Sequence, residues 1–449
     1  MSPAARRILL SVAAIVVVAL VVGLWIIRGP GPMAFTGGEK VALADYRGAN
    51  PTGVPAALAQ ASLVERGAYL ARAADCMVCH TTKDGKEYAG GLGFKLPFGT
   101  LYSTNITPDK ETGIGNYSDQ DFLNSVHRGI RRDGARLYPA MPFASYTYMT
   151  DADALAIKAY LFSLPPVRAP APENTLTFPF NQRWAMSFWS AVFNPDRRFE
   201  PDTSKSPEWN RGAYLAEALA HCGECHTPRN LAFALDNRKK FAGAVTAGWR
   251  AFNISSDKAT GGGAWRDEDL VSYLSIGHAD GHGTASGPMG EAVDHSLSQL
   301  APPDIHAMVA YLRSAPAVTS TDLPASLAPP APASHKDGGG TPDPRGKLVF
   351  EGACVSCHGW TGESSISPFA TLTGAWAVND PSATNVVQIV ISGTQRHAPE
   401  GAISMPAFGS SHSDAEIAAV ANYVTARFGS KGSQLTAQDV AELRKQASE

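Results

Sequence analysis

The sequence predicts a mainly α chain in which three like-built domains follow one another behind an N-terminal transmembrane helix. Three observations carry this. Residues 8–27 hold no charge. The pattern Cys-x-x-Cys-His stands at Cys76–His80, Cys222–His226 and Cys354–His358, and all six cysteines of the chain fall inside it. Around each copy the same order of segments recurs, with apolar residues at helical spacing before the motif and again well after it. A chain of 449 residues is also long enough for about three domains of ordinary size.

The uncharged run ILLSVAAIVVVALVVGLWII spans about 30 Å as a helix, the hydrocarbon thickness of a bilayer. Arg6 and Arg7 precede it, which puts the N-terminus in the cytoplasm and the remainder outside. A cleaved signal peptide has a shorter apolar core that ends at a small-x-small site. Trp25-Ile26-Ile27-Arg28 offers none, so residues 1–30 are expected to remain as a membrane anchor. The formal net charge is −3 with both signs dispersed, which leaves no basic footprint for nucleic acid.

The first domain is expected over 46–165, the second over 203–315 and the third over 344–430. Arg66-Gly67-Ala68-Tyr69-Leu70-Ala71 before the first motif is repeated as Arg211-Gly212-Ala213-Tyr214-Leu215-Ala216 before the second, with Gly346-Lys347-Leu348 a weaker third copy. Ser103-Thr104-Asn105-Ile106-Thr107 is echoed by Asn253-Ile254-Ser255. Acidic helix starts at Ser118–Phe122 and Arg266–Leu270 suit the helix dipole, and Gly129, Gly277 and Gly393 are the expected C-caps. Each domain closes in a helix bearing Tyr160, Tyr311 or Tyr423. Residues 166–202 form an aromatic-rich linker with Phe178, Phe180, Trp184, Phe188, Trp189 and Phe193. Packing between domains and docking on a partner or the membrane both stay open for it, and it is the best candidate for a partner contact. Residues 316–343 read as a Pro/Ala/Gly linker and 431–449 as a polar C-terminal tail.

Cys-x-x-Cys-His is the attachment signature of c-type haem. Two thiols three positions apart lie on one face of a helical turn, where they can add to the two vinyl groups of the porphyrin. The adjoining His then reaches the iron. Three disulfides would leave each His unexplained, zinc would want a fourth ligand, commonly from a second Cys or His pair, and a thioredoxin-like pair would occur once. Cys76, Cys79, Cys222, Cys225, Cys354 and Cys357 are therefore expected to hold three covalently bound haem c groups, with His80, His226 and His358 as iron ligands.

An iron that only carries electrons needs a sixth ligand. Met141, Met289 and Met405 follow their motifs at comparable intervals, each has Pro directly beside it, and each precedes its terminal helix. Pro is expected to stiffen an extended loop that holds the thioether. Met149 and Met308 read as core. His278 and His282, in a Gly-rich loop, remain alternatives to Met289. Met ligation would give moderately high reduction potentials. His127, Arg128, Arg131, Arg132 and Arg136 form a cluster ahead of Met141 that suits either haem propionates or a solvated face.

The order of helix, motif, long loops, Met and terminal helix resembles that of a small class I cytochrome c domain. From about residue 45 to 430 the chain resembles the triheme cytochrome c subunits of bacterial membrane-bound dehydrogenases for alcohol, gluconate, sorbitol/fructose and aldehyde. Ala74–Thr81, Phe98–Asp109, His221–Asn230 and Met405–Phe408 carry the resemblance. It implies electron transfer with no substrate-oxidising site in this chain, beside a catalytic dehydrogenase subunit of quinoprotein, molybdopterin or flavin type. It implies ubiquinone or a terminal oxidase as acceptor, at the bacterial cytoplasmic membrane with the haem domains on the periplasmic side. The retained anchor departs from relatives with a cleavable signal and keeps an aldehyde-oxidising molybdopterin partner beside the alcohol-oxidising one. A free-standing relay between a quinol-oxidising complex and an oxidase, and a haem enzyme or sensor with one open iron site, are the rival readings.

Overall fold

The protein is described by a computed structural model covering residues 2–320, 344–398 and 401–446. It is mainly helical, with short two-stranded antiparallel hairpins. Helix α1 (Pro3–Arg28) is capped by the Ser2 side chain, closed by Gly29, and is long and apolar enough to cross a membrane.

The region around the first motif is built from α2 (Leu63–Ala73), α3 (Cys76–Cys79), the hairpin β1 (Gly93–Leu96) and β2 (Gly99–Tyr102), α4 (Asp119–Arg128), α5 (Phe143–Tyr146) and α6 (Asp151–Ser163). Helix α7 (Met186–Phe193) follows. Around the second motif stand α8 (Pro207–Tyr214), which runs on into a π turn at Leu215–Leu219, α9 (Gly223–His226) and β3 (Ala244–Thr246) with β4 (Trp249–Ala251). They are followed by α10 (Asp267–Ile276), β5 (His278–Ala279) with β6 (Gly283–Thr284), α11 (Gly287–His295) and α12 (Pro302–Arg313). Around the third are α13 (Pro344–Val349), a π turn at Phe350–Cys354, α14 (Val355–His358), α15 (Trp376–Asn379) and α16 (Thr384–Ser392). The hairpin β7 (Thr394–Ala398) and β8 (Gly401–Met405), α17 (Asp414–Phe428) and α18 (Ala437–Gln446) complete it.

The repeated glycine has a packing reason. A Cβ on Gly67 would strike the Ala156 carbonyl of α6, one on Gly212 the Ala307 carbonyl of α12, and one on Gly346 the Ala419 carbonyl of α17. Only glycine lets the two helices cross so closely. The start of α4 is a reciprocal cap between Ser118 and Asp121, that of α10 is closed by Asp269 accepting the Arg266 amide, and both helices end at a left-handed glycine, Gly129 and Gly277. The repeated asparagines do equivalent work: Asn105 Nδ2 donates to the Val167 carbonyl at 2.6 Å and Asn253 Nδ2 to that of Val318 at 2.7 Å, each pinning the strand that leaves a terminal helix.

The hydrophobic core divides differently from the sequence repeat. One buried cluster runs from Met33 to Ala315 and joins the first two regions, and a second runs from Phe350 to Val440. Between the first two the contacts are reciprocal. Tyr69 of α2 donates to Asp304 at the start of α12 (2.6 Å), and Tyr214 of α8 donates to Asp153 at the start of α6 (2.5 Å). Each hydroxyl in turn accepts the backbone N–H of the helix N-cap opposite, Ala301 and Thr150. Arg211 completes the first pair, with Nη2 2.6 Å from Asp304 and both side chains nearly buried.

Two stretches expected as linker and tail pack onto these regions. In 166–202, the Thr175 and Thr177 amides bond the Thr100 and Phe98 carbonyls, which lays the strand along the first hairpin. In the tail, Val440 of α18 is fully buried in the second cluster. Of the linker 316–343, residues 321–343 lie outside the described residues. The third region meets the second through Arg396 of β7, almost wholly buried: it pairs with Asp294 at 3.0 Å and donates to the Gly290 and Ile276 carbonyls.

Candidate haem sites

Each motif occupies one short helical turn at the end of the helix that carries the crossing glycine, so both thiols of each pair share a face. No disulfide joins the cysteines; Cys357 is exposed and the other five are half-buried. Burial pushes the thiols up, to about 12 at Cys76 and Cys222 and to about 11 at Cys225 and Cys354. Among the described residues no three His, Cys, Asp or Glu side chains converge as a metal cluster.

The three histidines stand in one common arrangement. Nδ1 of His80 lies 2.6 Å from the Thr104 carbonyl, that of His226 2.7 Å from the Phe252 carbonyl, and that of His358 2.6 Å from the Ala370 carbonyl. Burial lowers the pKa of all three. A neutral imidazole with its proton committed to a carbonyl has Nε2 as its free lone pair, the tautomer an iron ligand requires. The residues present therefore fit haem c. These carbonyl acceptors escaped the sequence reading because backbone groups carry no residue signature. Yet Thr104 and Phe252 each directly precede the repeated asparagine.

The methionines are placed less uniformly than their sequence contexts suggest. Met141 lies in the turn before α5, half-buried and packed on the larger core with Cys76 and Cys222. Met405 ends β8 opposite Thr394. Met289 does not sit in an extended loop: it falls in the first turn of α11, because Pro288 is a first-turn residue that needs no N–H partner and so starts a helix. Its rivals are engaged elsewhere. His278 faces Thr284 at 2.9 Å and Asp280 at 3.1 Å, while His282 stacks on Trp265 at 3.8 Å with Asp269 at 3.5 Å. Met149 and Met308 are buried core.

The cluster ahead of Met141 is dispersed among carboxylates. Arg128 pairs with Asp196, Arg131 with Asp133 and Arg132 with Asp121, while the Arg136 carbonyl accepts from Arg183. His127 is buried 3.6 Å from Asp151, and burial, with Arg198 near by, lowers its pKa to about 4.

The first two motif turns are joined by contacts, and the third region packs beside the second. Ser145 of α5 donates to Glu224 inside the second motif at 2.9 Å, and Tyr146 bonds the Ala74 carbonyl just ahead of the first while its ring meets His221 at 5.4 Å. Helix α11 packs on α3. Toward the third motif, the Phe252 ring meets Trp376 at 5.4 Å, and Phe369, next to Ala370, stacks on His278 at 4.7 Å.

Comparison with known proteins agrees with this geometry. Residues 64–165 match the family Cytochrome c, and 342–424 match the family Cytochrome C oxidase, cbb3-type, subunit III. The chain is 38% identical over 416 residues to the fructose dehydrogenase cytochrome subunit of Gluconobacter japonicus, covering 88% of this chain and 85% of that one. It is 38% identical over 404 residues to the gluconate 2-dehydrogenase cytochrome c subunit of Pantoea cypripedii, covering 86% and 90%. It is 36% identical over 402 residues to the alcohol dehydrogenase (quinone) cytochrome c subunit of Gluconacetobacter polyoxogenes, covering 86% and 85%. With cytochrome c domains that imply covalently bound haem c, the chain belongs to the family of cytochrome c subunits of fructose, gluconate and alcohol dehydrogenase complexes.

Proposed function

We propose that this chain is a membrane-anchored triheme electron relay, which takes single electrons from a periplasmic catalytic subunit of the alcohol- or aldehyde-oxidising type and passes them to ubiquinone or a terminal oxidase. The observation that carries the reading is that the regions holding the three motifs pack on one another, the first two through Ser145–Glu224 and Tyr146–Ala74, and the second and third through Phe252–Trp376 and His278–Phe369 beside the imidazole-orienting carbonyls. Cys76, Cys79 and His80 with Met141 would hold one haem, Cys222, Cys225 and His226 with Met289 a second, and Cys354, Cys357 and His358 with Met405 a third. When bound, haem c supplies a one-electron iron couple. The chain's own residues do the rest. The Thr104, Phe252 and Ala370 carbonyls orient the imidazoles, the two apolar cores exclude water, and the contacts between regions hold the sites beside one another.

A further observation favours ubiquinone as acceptor. A cavity of about 340 Å³ opens between the end of α1 and the second motif, lined among others by Trp25, Arg28, Trp189, Glu224, Arg229 and Asn237. Its size and its mixture of ring faces and hydrogen-bonding groups suit a quinone head group entering from the bilayer. The test is to purify the native complex in mild detergent, identify its largest subunit, and assay the separated cytochrome. The separated chain is expected to oxidise no alcohol, aldehyde or sugar and to pass supplied electrons to a soluble ubiquinone analogue. Substrate oxidation by the partner-free chain would overturn the reading.

A further inference from the structure

We propose that the exposed aromatic face around the exit of α1, formed by Phe178, Phe180, Trp184, Phe188, Leu231 and Phe233, lies in the interfacial layer of the lipid bilayer. The first two regions then rest on the membrane and do not hang from it by α1 alone. The inference builds on α1 being a membrane span.

The end of α1 is held at a fixed place. A helix leaves its last carbonyls without internal donors, and here one loop of the second region supplies them. Arg238 Nη1 donates to the Ile26 carbonyl at 2.8 Å, Asn230 Nδ2 to that of Ile27 at 3.0 Å, and Asn237 Nδ2 to that of Pro30 at 3.2 Å. The apolar run ends at Ile27 and Arg28, so this loop stands at the depth where hydrocarbon gives way to head groups. The same loop carries Leu231, 96% exposed, and Phe233. Helix α7 packs on α1 and is tied to the loop by the Trp189 indole, which donates to the Ala232 carbonyl at 2.8 Å.

The composition of the face matches that depth. Outside α1, five of the seven exposed Phe and Trp side chains among the described residues are Phe178, Phe180, Trp184, Phe188 and Phe233; the others are Phe162 and Trp360. The rings form two linked groups, Phe180 on Phe98 on Phe233 (4.0 and 5.5 Å) and Trp184 against Phe188 (6.1 Å). Trp gathers at membrane–water boundaries, and Phe and Leu supply the apolar side of elements that lie in that layer. Trp189, by contrast, packs inward against Phe143 and Phe193, so the aromatic load of 166–202 divides into a packing half and a lipid-facing half. A protein partner seated on this face would have to share it with the lipid in which α1 stands.

The test uses the full-length, haem-loaded protein in phospholipid nanodiscs, with a photoreactive residue at one exposed position at a time: Phe188→p-benzoylphenylalanine, Leu231→p-benzoylphenylalanine, and Trp360→p-benzoylphenylalanine on the third region as control. Illumination is expected to add one phospholipid mass at positions 188 and 231 and none at 360. Adducts only to protein at 188 and 231, no adduct there, or equal lipid labelling at 360 would each overturn the proposal. Failure of the anchor reading looks different: a mature N-terminus downstream of Ile27, which N-terminal sequencing of the same sample reads directly.

Discussion

Removing the Asp304 carboxylate by Asp304→Ala is the sharpest test of the joint between the first two regions. The side chain is 4% exposed and accepts from Arg211, itself 13% exposed, and from Tyr69. The change leaves a guanidinium and a phenol without their acceptor in a site closed to water. Breaking a buried ion pair in this way costs about 3–5 kcal/mol. For a cooperative body of this size that corresponds to roughly 2–4 °C per kcal/mol, so a fall of about 6–20 °C is expected. Tyr214→Phe, in the reciprocal pair, removes two hydrogen bonds, the one donated to Asp153 and the one accepted from the Thr150 amide, and should cost about 1–3 kcal/mol. The assay is calorimetry of the haem-loaded protein with Soret absorbance followed in parallel. Because one apolar cluster runs from Met33 to Ala315, the first two haem sites should melt together and shift together, with the third moving less. A shift under about 2 °C for Asp304→Ala, or separate melting of the first two sites, refutes the shared core.

Three further outcomes are expected. The mature protein should exceed its polypeptide mass by three haems, and replacing Met141, Met289 or Met405 singly should each remove one third of the oxidised near-infrared methionine–iron band; if Met289→Ala leaves it intact while His278→Ala changes it, the second assignment is wrong. His127 has a folded pKa lowered to about 4, so the unfolded chain binds a proton that the folded one refuses between about pH 6.5 and 4. Stability should therefore fall with pH across that window by up to roughly 1.4 kcal/mol per unit, and His127→Gln should flatten the slope in urea titrations. The protein should stay in the membrane fraction after high-salt and carbonate washes, and release by carbonate would remove α1 as an anchor.

What the sequence discloses and what it hides follow from where the information resides. Covalent haem attachment demands two thiols and an imidazole at fixed spacing, so the motifs are legible outright. Helix limits at Ser118, Gly129 and Gly277 are legible because capping is a matter of one side chain or one backbone angle. The repeated Arg-Gly-Ala-Tyr announces like units, but nothing in it says that each tyrosine reaches the aspartate of the other unit. The helical setting of Met289 was open to misreading because Pro suits a stiff loop and a helix start equally well. The imidazole-orienting carbonyls are invisible in principle, since every residue has one.

Arg396 also has a consequence for biogenesis. The groups that compensate its burial, Asp294 and the Gly290 and Ile276 carbonyls, come from chain that is synthesised before β7. A guanidinium cannot enter an apolar interior ahead of its partners without a heavy desolvation cost. The hairpin of β7 and β8, with Met405 at its end, thus finds its seat only on a second region that has already folded. Folding acquires a direction, N-terminal to C-terminal, and Met405 is delivered onto a finished template.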